Sequence, residues 1–405
     1  MVFINRYFYP DQSATSRVLT SVAAGLAQRG LPVSVLASNQ RYEDPTARLC
    51  SHEAHAGVDI QRLATSRFGR NNLVGRAVDY LAFIMAVNWW LLRKIRPGDV
   101  VVCKTDPPML SAFVWPIVAL RRGILVNWLQ DLFPEVAVEL GVVGRKTAAV
   151  AGWMRNLGLR FARKNVVIGR LMADKVTALN IDQEKQCLIE NGCDVAALSD
   201  HAGGHGKRQA WSISDDALIV MYAGNFGRAH PAEPVARAVE QLGSQGNVVF
   251  VFIGAGAGMK ILKDRCGRLS NCRFLPYQPE DQLAETLAAA DLHLVALHSH
   301  LEGLIVPSKF YPIAAVGRPM VYLGARDSDL GDYLTHHDCG HVVQSAEALI
   351  QVIIDSAGDR SGLLAMGRKA NALAQSQFSV DHACKRWEAL VSELGIHQIF
   401  QRETS

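Results

Sequence analysis

The residues best spaced for chemistry lie between Ala289 and Leu323, where a carboxylate, a glycine, a serine and a lysine share one short stretch. Leu292–Ala296 is an apolar run after Asp291, Pro307 stands where a helix would begin, Gly317 suits the left-handed position just past its end, and Pro319–Leu323 is apolar again. The spacing predicts strand, loop, helix, strand: a βαβ unit. Its loop holds Glu302 and Gly303, and its helix start carries Ser308 and Lys309. In an open α/β sheet, ligands bind beyond the carboxyl ends of the strands, and a helix N-terminus offers unpaired N–H groups to phosphate. The stretch therefore suits an anionic ligand.

A second glycine-bearing loop, Gly224-Asn225-Phe226-Gly227-Arg228-Ala229-His230, follows the apolar run Ala217–Tyr222 and precedes a helical pattern over Ala232–Leu242. Arg228 is the cation of this loop, and its plain reading is a solvated surface arginine. Gly254-Ala255-Gly256-Ala257-Gly258 follows Val248–Ile253, but its spacing is wrong for a dinucleotide fingerprint and no acid ends the next strand. In the first half, two strand ends carry polar groups: Lys104-Thr105-Asp106-Pro107-Pro108 and Gln130-Asp131-Leu132-Phe133-Pro134-Glu135. Asp131 and Glu135 could act on a substrate hydroxyl, although a carboxylate after a strand is often only a helix cap.

Glu302-Gly303, Pro307-Ser308-Lys309 and Gly317-Arg318-Pro319 together resemble the donor-binding signature of the retaining GT-B glycosyltransferases of family 4 (group 1). Within that family the chain is most similar to bacterial surface-polysaccharide enzymes such as the L-fucosamine transferases of O-antigen and capsule pathways. The resemblance implies an α/β fold of two Rossmann-like domains facing across a cleft, with a C-terminal helix crossing back to the first domain. It implies catalytic roles for Glu302, Asp131, Arg228 and Lys309, with Arg228 meeting the donor diphosphate. Donor contacts are implied for Thr15, Gly224, Asn225, Gly227, His230, Leu275, Tyr277, Gly303, Leu304, Ile305 and Ser308. Arg273-Phe274-Leu275-Pro276-Tyr277 resembles the segment whose backbone holds the base, and Glu190-Asn191-Gly192-Cys193-Asp194 the segment that closes the first domain. Three departures stand out. Asn225 occupies a place where many relatives have Arg. Ala14 and Thr15 stand where a glycine pair is common, at the end of the loop Tyr7-Phe8-Tyr9-Pro10-Asp11-Gln12-Ser13. Pro312 replaces a second Glu that holds the ribose, so a bent helix start is expected, with Lys309 carrying more of the nucleotide affinity.

These residues need a scaffold. Strands are expected at Val2–Asn5, Val33–Ala37, Val58–Leu63, Asp99–Cys103, Ile124–Trp128, Asn165–Ile168 and Gln186–Glu190, alternating with helices such as Thr15–Arg29. That alternation is the pattern of a parallel doubly wound sheet. The second domain starts at Ala217–Tyr222, Asp281–Ala289 reads as an amphipathic helix, and Asp381–Leu394 is the last clear helix. The expected organisation is an acceptor-side domain over 1–195, a linker over 196–216 rich in glycine at Gly203, Gly204 and Gly206, a nucleotide-sugar domain over 217–380, and a helix and tail over 381–405.

With 405 residues and 49% hydrophobic content, two domains of roughly 150 to 200 residues are expected. The net charge of +4 hides an asymmetry: 24 Lys/Arg oppose 15 Asp/Glu up to Glu190, and 18 oppose 23 afterwards. A basic half suits nucleic acid, anionic lipid or phosphorylated substrates, and no nucleic-acid motif accompanies it. Eight scattered cysteines without a Cys-x-x-Cys pair argue against zinc and against a disulfide scaffold. The N-terminus shows no signal-peptide pattern, so a cytoplasmic protein is expected, in peripheral contact with the inner face of the membrane. The runs Leu81–Leu92 and Met109–Leu120 fall short of the roughly 20 residues a spanning helix needs. Each ends in cations (Arg93, Lys94 and Arg96; Arg121 and Arg122), the pattern of a helix face in a membrane interface or of a buried core helix. His52, His55, His382 and His397 read as solvated surface residues. Asp327-Ser328-Asp329 reads as a surface turn or helix cap, and neither His298 with His300 nor His336-His337-Asp338-Cys339 has a recognised zinc-site spacing.

The combined expectation is a glycosyltransferase without metal or cofactor, moving a sugar from a UDP-type nucleotide sugar to a polyprenyl-diphosphate-linked saccharide with retention. Two rivals stay open: a nucleotide-sugar 2-epimerase of the same fold, and a two-lobed binding protein, which would need an export signal.

Overall fold

A computed structural model describes every residue except 12, 42, 43, 45, 46, 69–72, 201, 202, 244–246 and 396–405. Gln12 of the first loop, Ala202 of the expected linker and His397 lie outside the described residues. Contacts divide the chain into two units: Met1–Gly192 together with the chain from Val380 onward, and Cys193–Ser379.

The first unit is built on an eight-stranded sheet of β1 (Val2–Ile4), β2 (Ser34–Ser38), β3 (His52–His55), β4 (Val58–Leu63), β5 (Val100–Lys104), β6 (Ile124–Trp128), β7 (Lys164–Val167) and β8 (Gln186–Leu188), in the order β3-β4-β2-β1-β5-β6-β7-β8. Its central strands are near-continuous Val, Ile and Leu because helices cover both faces of a parallel sheet. β3 has no such pattern. It pairs antiparallel to β4 through a tight turn in which Ala56 and Gly57 both have positive φ. His55, expected to be solvated, is half-buried and stacks on Tyr9 at 3.6 Å, while exposed His52 reaches Asp59 at 2.6 Å.

The last clear helix, expected over Asp381–Leu394, runs Val380–Glu393 and belongs to the first unit. Its Trp387 is fully buried, with ring centroids 5.7 Å from Phe3 of β1 and 5.0 Å from Trp128 of β6. Beside it, a Cβ on Gly25 of helix Ala14–Gln28 would lie 2.7 Å from Cys384 Sγ, so glycine is what lets the two helices meet.

The second unit holds a six-stranded parallel sheet of β9 (Leu218–Ala223), β10 (Val248–Ile253), β11 (Cys272–Leu275), β12 (Leu292–Ala296), β13 (Met320–Leu323) and β14 (Gly340–Val343), ordered β11-β10-β9-β12-β13-β14. The stretch 196–216, expected as a linker, carries helices at Val195–Ser199 and His205–Ala210. Buried Arg208 ties the second of these to the unit: it donates to the carbonyls of Ala217 and Ala289 and pairs with Asp291 at 2.6 Å. The helix expected over Asp281–Ala289 is a 3-10 turn, Glu280–Gln282, followed by Leu283–Ala288. Both apolar runs are helical, inside Leu73–Lys94 and at Leu110–Leu120, and among the described residues no helix is long and apolar enough to cross a membrane.

Trp387→Ala should lower unfolding stability by about 3–5 kcal/mol, the cost of deleting a large aromatic from a packed core. Denaturant titration followed by near-ultraviolet circular dichroism checks this; a loss under about 1 kcal/mol would mean that the aromatic cluster is not part of the first unit's core.

Candidate functional site

The strands of the second sheet end in loops that gather most of the expected residues. After β9 the backbone turns at Gly224 (φ 123°), and Phe226 is fully buried with its ring 4.4 Å from Tyr222. A Cβ on Gly254 would lie 2.4 Å from Gly224 O, and one on Gly256 2.4 Å from Phe226 O. The glycines after β10 therefore serve close backbone approach between two loops, which explains a glycine run without dinucleotide spacing. Asn225 and Arg228 are exposed, and Arg228 makes no ion pair among the described residues.

Lys309 packs onto this loop. Its Nζ lies 3.4 Å from Asn225 O and 5.0 Å from the centre of the Tyr222 ring, and a Cβ on Gly224 would come within 2.8 Å of its Cε. Burial draws the amine down to about 8. His230 Nδ1 is 2.6 Å from Ala296 O; a carbonyl only accepts, so Nδ1 carries the proton. Burial first, then the charge of Lys309, lowers His230 to about 4, so its ring is neutral at pH 7.

The helix expected to start at Pro307 starts at Phe310 and ends at Ala315, with Lys309 at its N-cap and Gly317 (φ 70°) past its end. Ser308, half-buried, precedes the helix, so its carbonyl is not one the helix needs to pair. Pro312 is the third helical residue, within the first turn where N–H groups lack intrahelical acceptors, so the expected bend has no cause.

Between β12 and this helix, Gly303 (φ 73°) turns the chain so that Ile305 N reaches Leu301 O, with Leu304 buried. Glu302 accepts a hydrogen bond from Tyr322 Oη of β13 and another from the backbone at Ala325. Burial pushes the Glu302 carboxyl up to about 7, against the pull of those two bonds. Tyr322 was not legible beforehand, because nothing local marks a strand tyrosine 20 residues away as a carboxylate's partner. Leu275 O accepts from Gly254 N at 3.0 Å, and Tyr277, half-exposed, places its ring edge over Gly254. Gly227 completes the β9 loop.

Thr15 and Asp131 belong to the first unit. Thr15 lies in the first turn of helix Ala14–Gln28, capped by Ser13, and its carbonyl accepts from Lys104 Nζ at 3.0 Å. Lys104 is buried over the Trp128 ring at 4.0 Å, and burial draws its amine down to about 7. Asp131 is pushed up by burial, opposed by a hydrogen bond from Thr105, and its Oδ1 has no partner among the described residues. Glu135 Oε1 pairs with Arg155 at 2.5 Å, and its Oε2 has no partner among the described residues. Ser328 of Asp327-Ser328-Asp329 caps helix Asp329–His336 by accepting from Gly331 N at 3.0 Å.

A carboxyl raised from 4.5 to about 7 opposes folding in its charged form. The cost is absent below pH 4.5, grows as pH rises to about 7 and is constant above. Glu302→Gln removes it while keeping an acceptor for Tyr322. The variant should be more stable than wild type above pH 7, by up to about 3 kcal/mol, with the gain fading toward pH 4.5. Thermal melts at pH 4.5, 6 and 8 measure this; a pH-independent difference would contradict the raised carboxyl.

Residues 13–192 match the glycosyl transferase 4-like domain. The chain is 29% identical over 299 residues to the probable glycosyltransferase WbjE of Pseudomonas aeruginosa, covering 67% of this chain and 69% of that protein. It is 26% identical over 211 residues to the putative colanic acid biosynthesis glycosyl transferase WcaI of Escherichia coli (strain K12), covering 50% of this chain and about half (52%) of that protein. Among solved structures, Anabaena Alr3699/HepE in complex with UDP and glucose aligns with a TM-score of 0.73 at 16% identity, over 97% of this chain and 99% of that one. Sucrose-phosphate synthase from Thermosynechococcus elongatus aligns with a TM-score of 0.75 at 16% identity, over 100% of this chain and 99% of that one, and two α/β units with these structural neighbours make the fold GT-B. The matched domain and the relatives together support a glycosyltransferase.

Proposed function

We propose that the protein transfers a sugar from a UDP-linked donor, with retention of anomeric configuration, to a polyprenyl-diphosphate-linked saccharide during surface-polysaccharide synthesis. The observation that carries this reading is the half-buried Lys309 amine held against the Gly224–His230 loop, which also bears the exposed Arg228. Breaking the bond between the sugar's anomeric carbon and the diphosphate leaves growing negative charge on phosphate and an oxocarbenium-like sugar. Fixed positive groups stabilise the first, and they act most strongly where water is excluded. Lys309 and Arg228 are the groups assigned to it. Glu302, oriented by Tyr322, accepts from sugar hydroxyls. Asp131, raised by burial, receives the proton of the acceptor hydroxyl. HepE's complex with UDP and glucose, on the same fold, supports a nucleotide-sugar donor. The colanic acid relative supports a polysaccharide product, and a lipid-linked acceptor would bring the enzyme into peripheral contact with the membrane. An epimerase is not favoured, because the matched domain and both curated relatives are glycosyltransferases.

The test is a donor panel of UDP-hexoses, UDP-N-acetylhexosamines and an L-fucosamine-type donor, incubated with and without a lipid-diphosphate saccharide. Product mass and anomeric NMR should show an acceptor-dependent, retained glycoside; epimerisation without acceptor, or an inverted product, would contradict the reading. Glu302→Gln should lower turnover on the order of 10²-fold, the size of losing one polarising contact.

Lys309→Ala should weaken UDP binding roughly tenfold or more, as for a lost charge-assisted hydrogen bond. A nearby diphosphate raises the lysine above its value of about 8, so UDP affinity should fall as pH rises past 8, and binding at pH 8 should take up protons. Calorimetry in two buffers of different ionisation enthalpy reads the uptake, which Lys309→Ala should abolish.

A further inference from the structure

The outer face of helix Leu73–Lys94 carries an apolar stripe, with the Arg93 guanidinium lying over the Trp89 ring at 3.1 Å. Val74, Val78, Leu81, Met85, Trp89 and Leu92 recur three or four residues apart, with Met85 65% and Trp89 60% exposed. The stripe runs about 27 Å. Most surface helices carry charge on this face, and contiguous apolar patches of such size mark interaction sites.

Two further helices extend it. Leu110–Leu120 packs beside the first, with Asn88 Nδ2 donating to Phe113 O at 3.2 Å, and its own exposed residues include Phe113 and Leu120. Arg145–Phe161 packs on the other side. There Gly158 lets the backbones close, Phe161 stacks on Trp115 at 3.9 Å, and Trp153 is 63% exposed.

Charge decides what covers this face. Across the three helices the only acid is Asp79, and it is buried against Arg6 at 3.4 Å. Cations flank the apolar area: Arg93, Lys94 and Arg96 at one helix end, Arg122 at the next, and Arg145 and Lys146 at the third, all exposed. Arg121 is instead occupied, donating to Ile95 O at 3.0 Å. Two copies joined through this face would bring cations together with no exposed acid from these helices to pair them. A bilayer interface offers acyl chains to the stripe and anionic head groups to the rim.

We propose that this three-helix face seats in an anionic membrane surface, inserting the stripe of Leu73–Lys94 and Trp153 into the interface while the flanking cations meet head groups. This deepens the proposed lipid-linked acceptor, and it rests on that reading only for why a membrane is at hand. Its mode is apolar insertion, so high salt weakens the attachment without abolishing it.

The test uses the whole protein with phosphatidylcholine or mixed phosphatidylcholine–phosphatidylglycerol vesicles, without donor or acceptor, so a wrong view of the transfer reaction leaves the result readable. Wild type should partition to the mixed vesicles. Part of its tryptophan emission should shift to the blue and be quenched by lipids brominated on their acyl chains. Combined Met85→Gln, Trp89→Gln and Trp153→Gln should weaken partitioning about tenfold or more and remove the quenching. Because these side chains are exposed, the fold should survive, and the wild-type quenching stands as evidence even if the triple variant fails to fold. Unquenched wild-type emission, or equal partitioning of a folded triple variant, would overturn the proposal. So would a wild-type dimer that ignores vesicles and is dissolved by the triple variant.

Discussion

A half-buried cationic amine packed against a glycine loop is the constraint around which the second unit is arranged. A Cβ on Gly224 would lie 2.8 Å from Lys309 Cε, and Cβ atoms on Gly254 and Gly256 would lie 2.4 Å from Gly224 O and Phe226 O, so these glycines let the lysine and the two loops pack this closely. Phe226, buried under Tyr222, fixes the loop from below. Without an anion the amine sits in an environment that disfavours its charge, and Lys309 makes no ion pair among the described residues. Glu302 is in the mirror situation, a carboxyl that burial drives toward its neutral form. Two ionisable groups held against their charged states at the carboxyl ends of one sheet's strands cost stability, which is the expected signature of a site shaped for a partner instead of for the empty protein.

Much of this was legible in the chain. Ile124–Trp128, Val248–Ile253 and Leu292–Ala296 have the boundaries their apolar runs suggest, because a strand buried on both faces writes itself as a mostly apolar run, interrupted here by buried Asn127 and His293. Glu302, Lys309 and the Gly224 loop stand out in the sequence because turn chemistry and strand ends are local signals. What escaped was non-local. Tyr322 meets Glu302 across adjacent strands, Lys104 meets Thr15 across 89 residues, and Arg208 turns a glycine-rich stretch into a docked helix through Asp291. Pro312 misled for a different reason: its effect depends on where the helix starts, and boundaries are the least determined part of a local reading.

The two units differ in character as their charge suggests. The first presents apolar and basic helix faces and buries single ionisable groups, Lys104 and Asp131, near its strand ends. The second presents loops that bear glycine, arginine and lysine. A transferase must recognise two unlike substrates, and in the proposed reading the division of surface chemistry follows that need: lipid and acceptor on the first unit, nucleotide sugar on the second.

In the proposed reading the second unit's loops hold a nucleoside diphosphate. A crystal structure of the protein soaked with UDP or a UDP-sugar is the decisive measurement. Phosphate oxygens are expected within hydrogen-bond reach of Lys309 Nζ and the Arg228 guanidinium, with Glu302 facing a sugar hydroxyl and Tyr322 still donating to it. A diphosphate bound away from the Gly224–His230 loop, with Lys309 untouched, would contradict it.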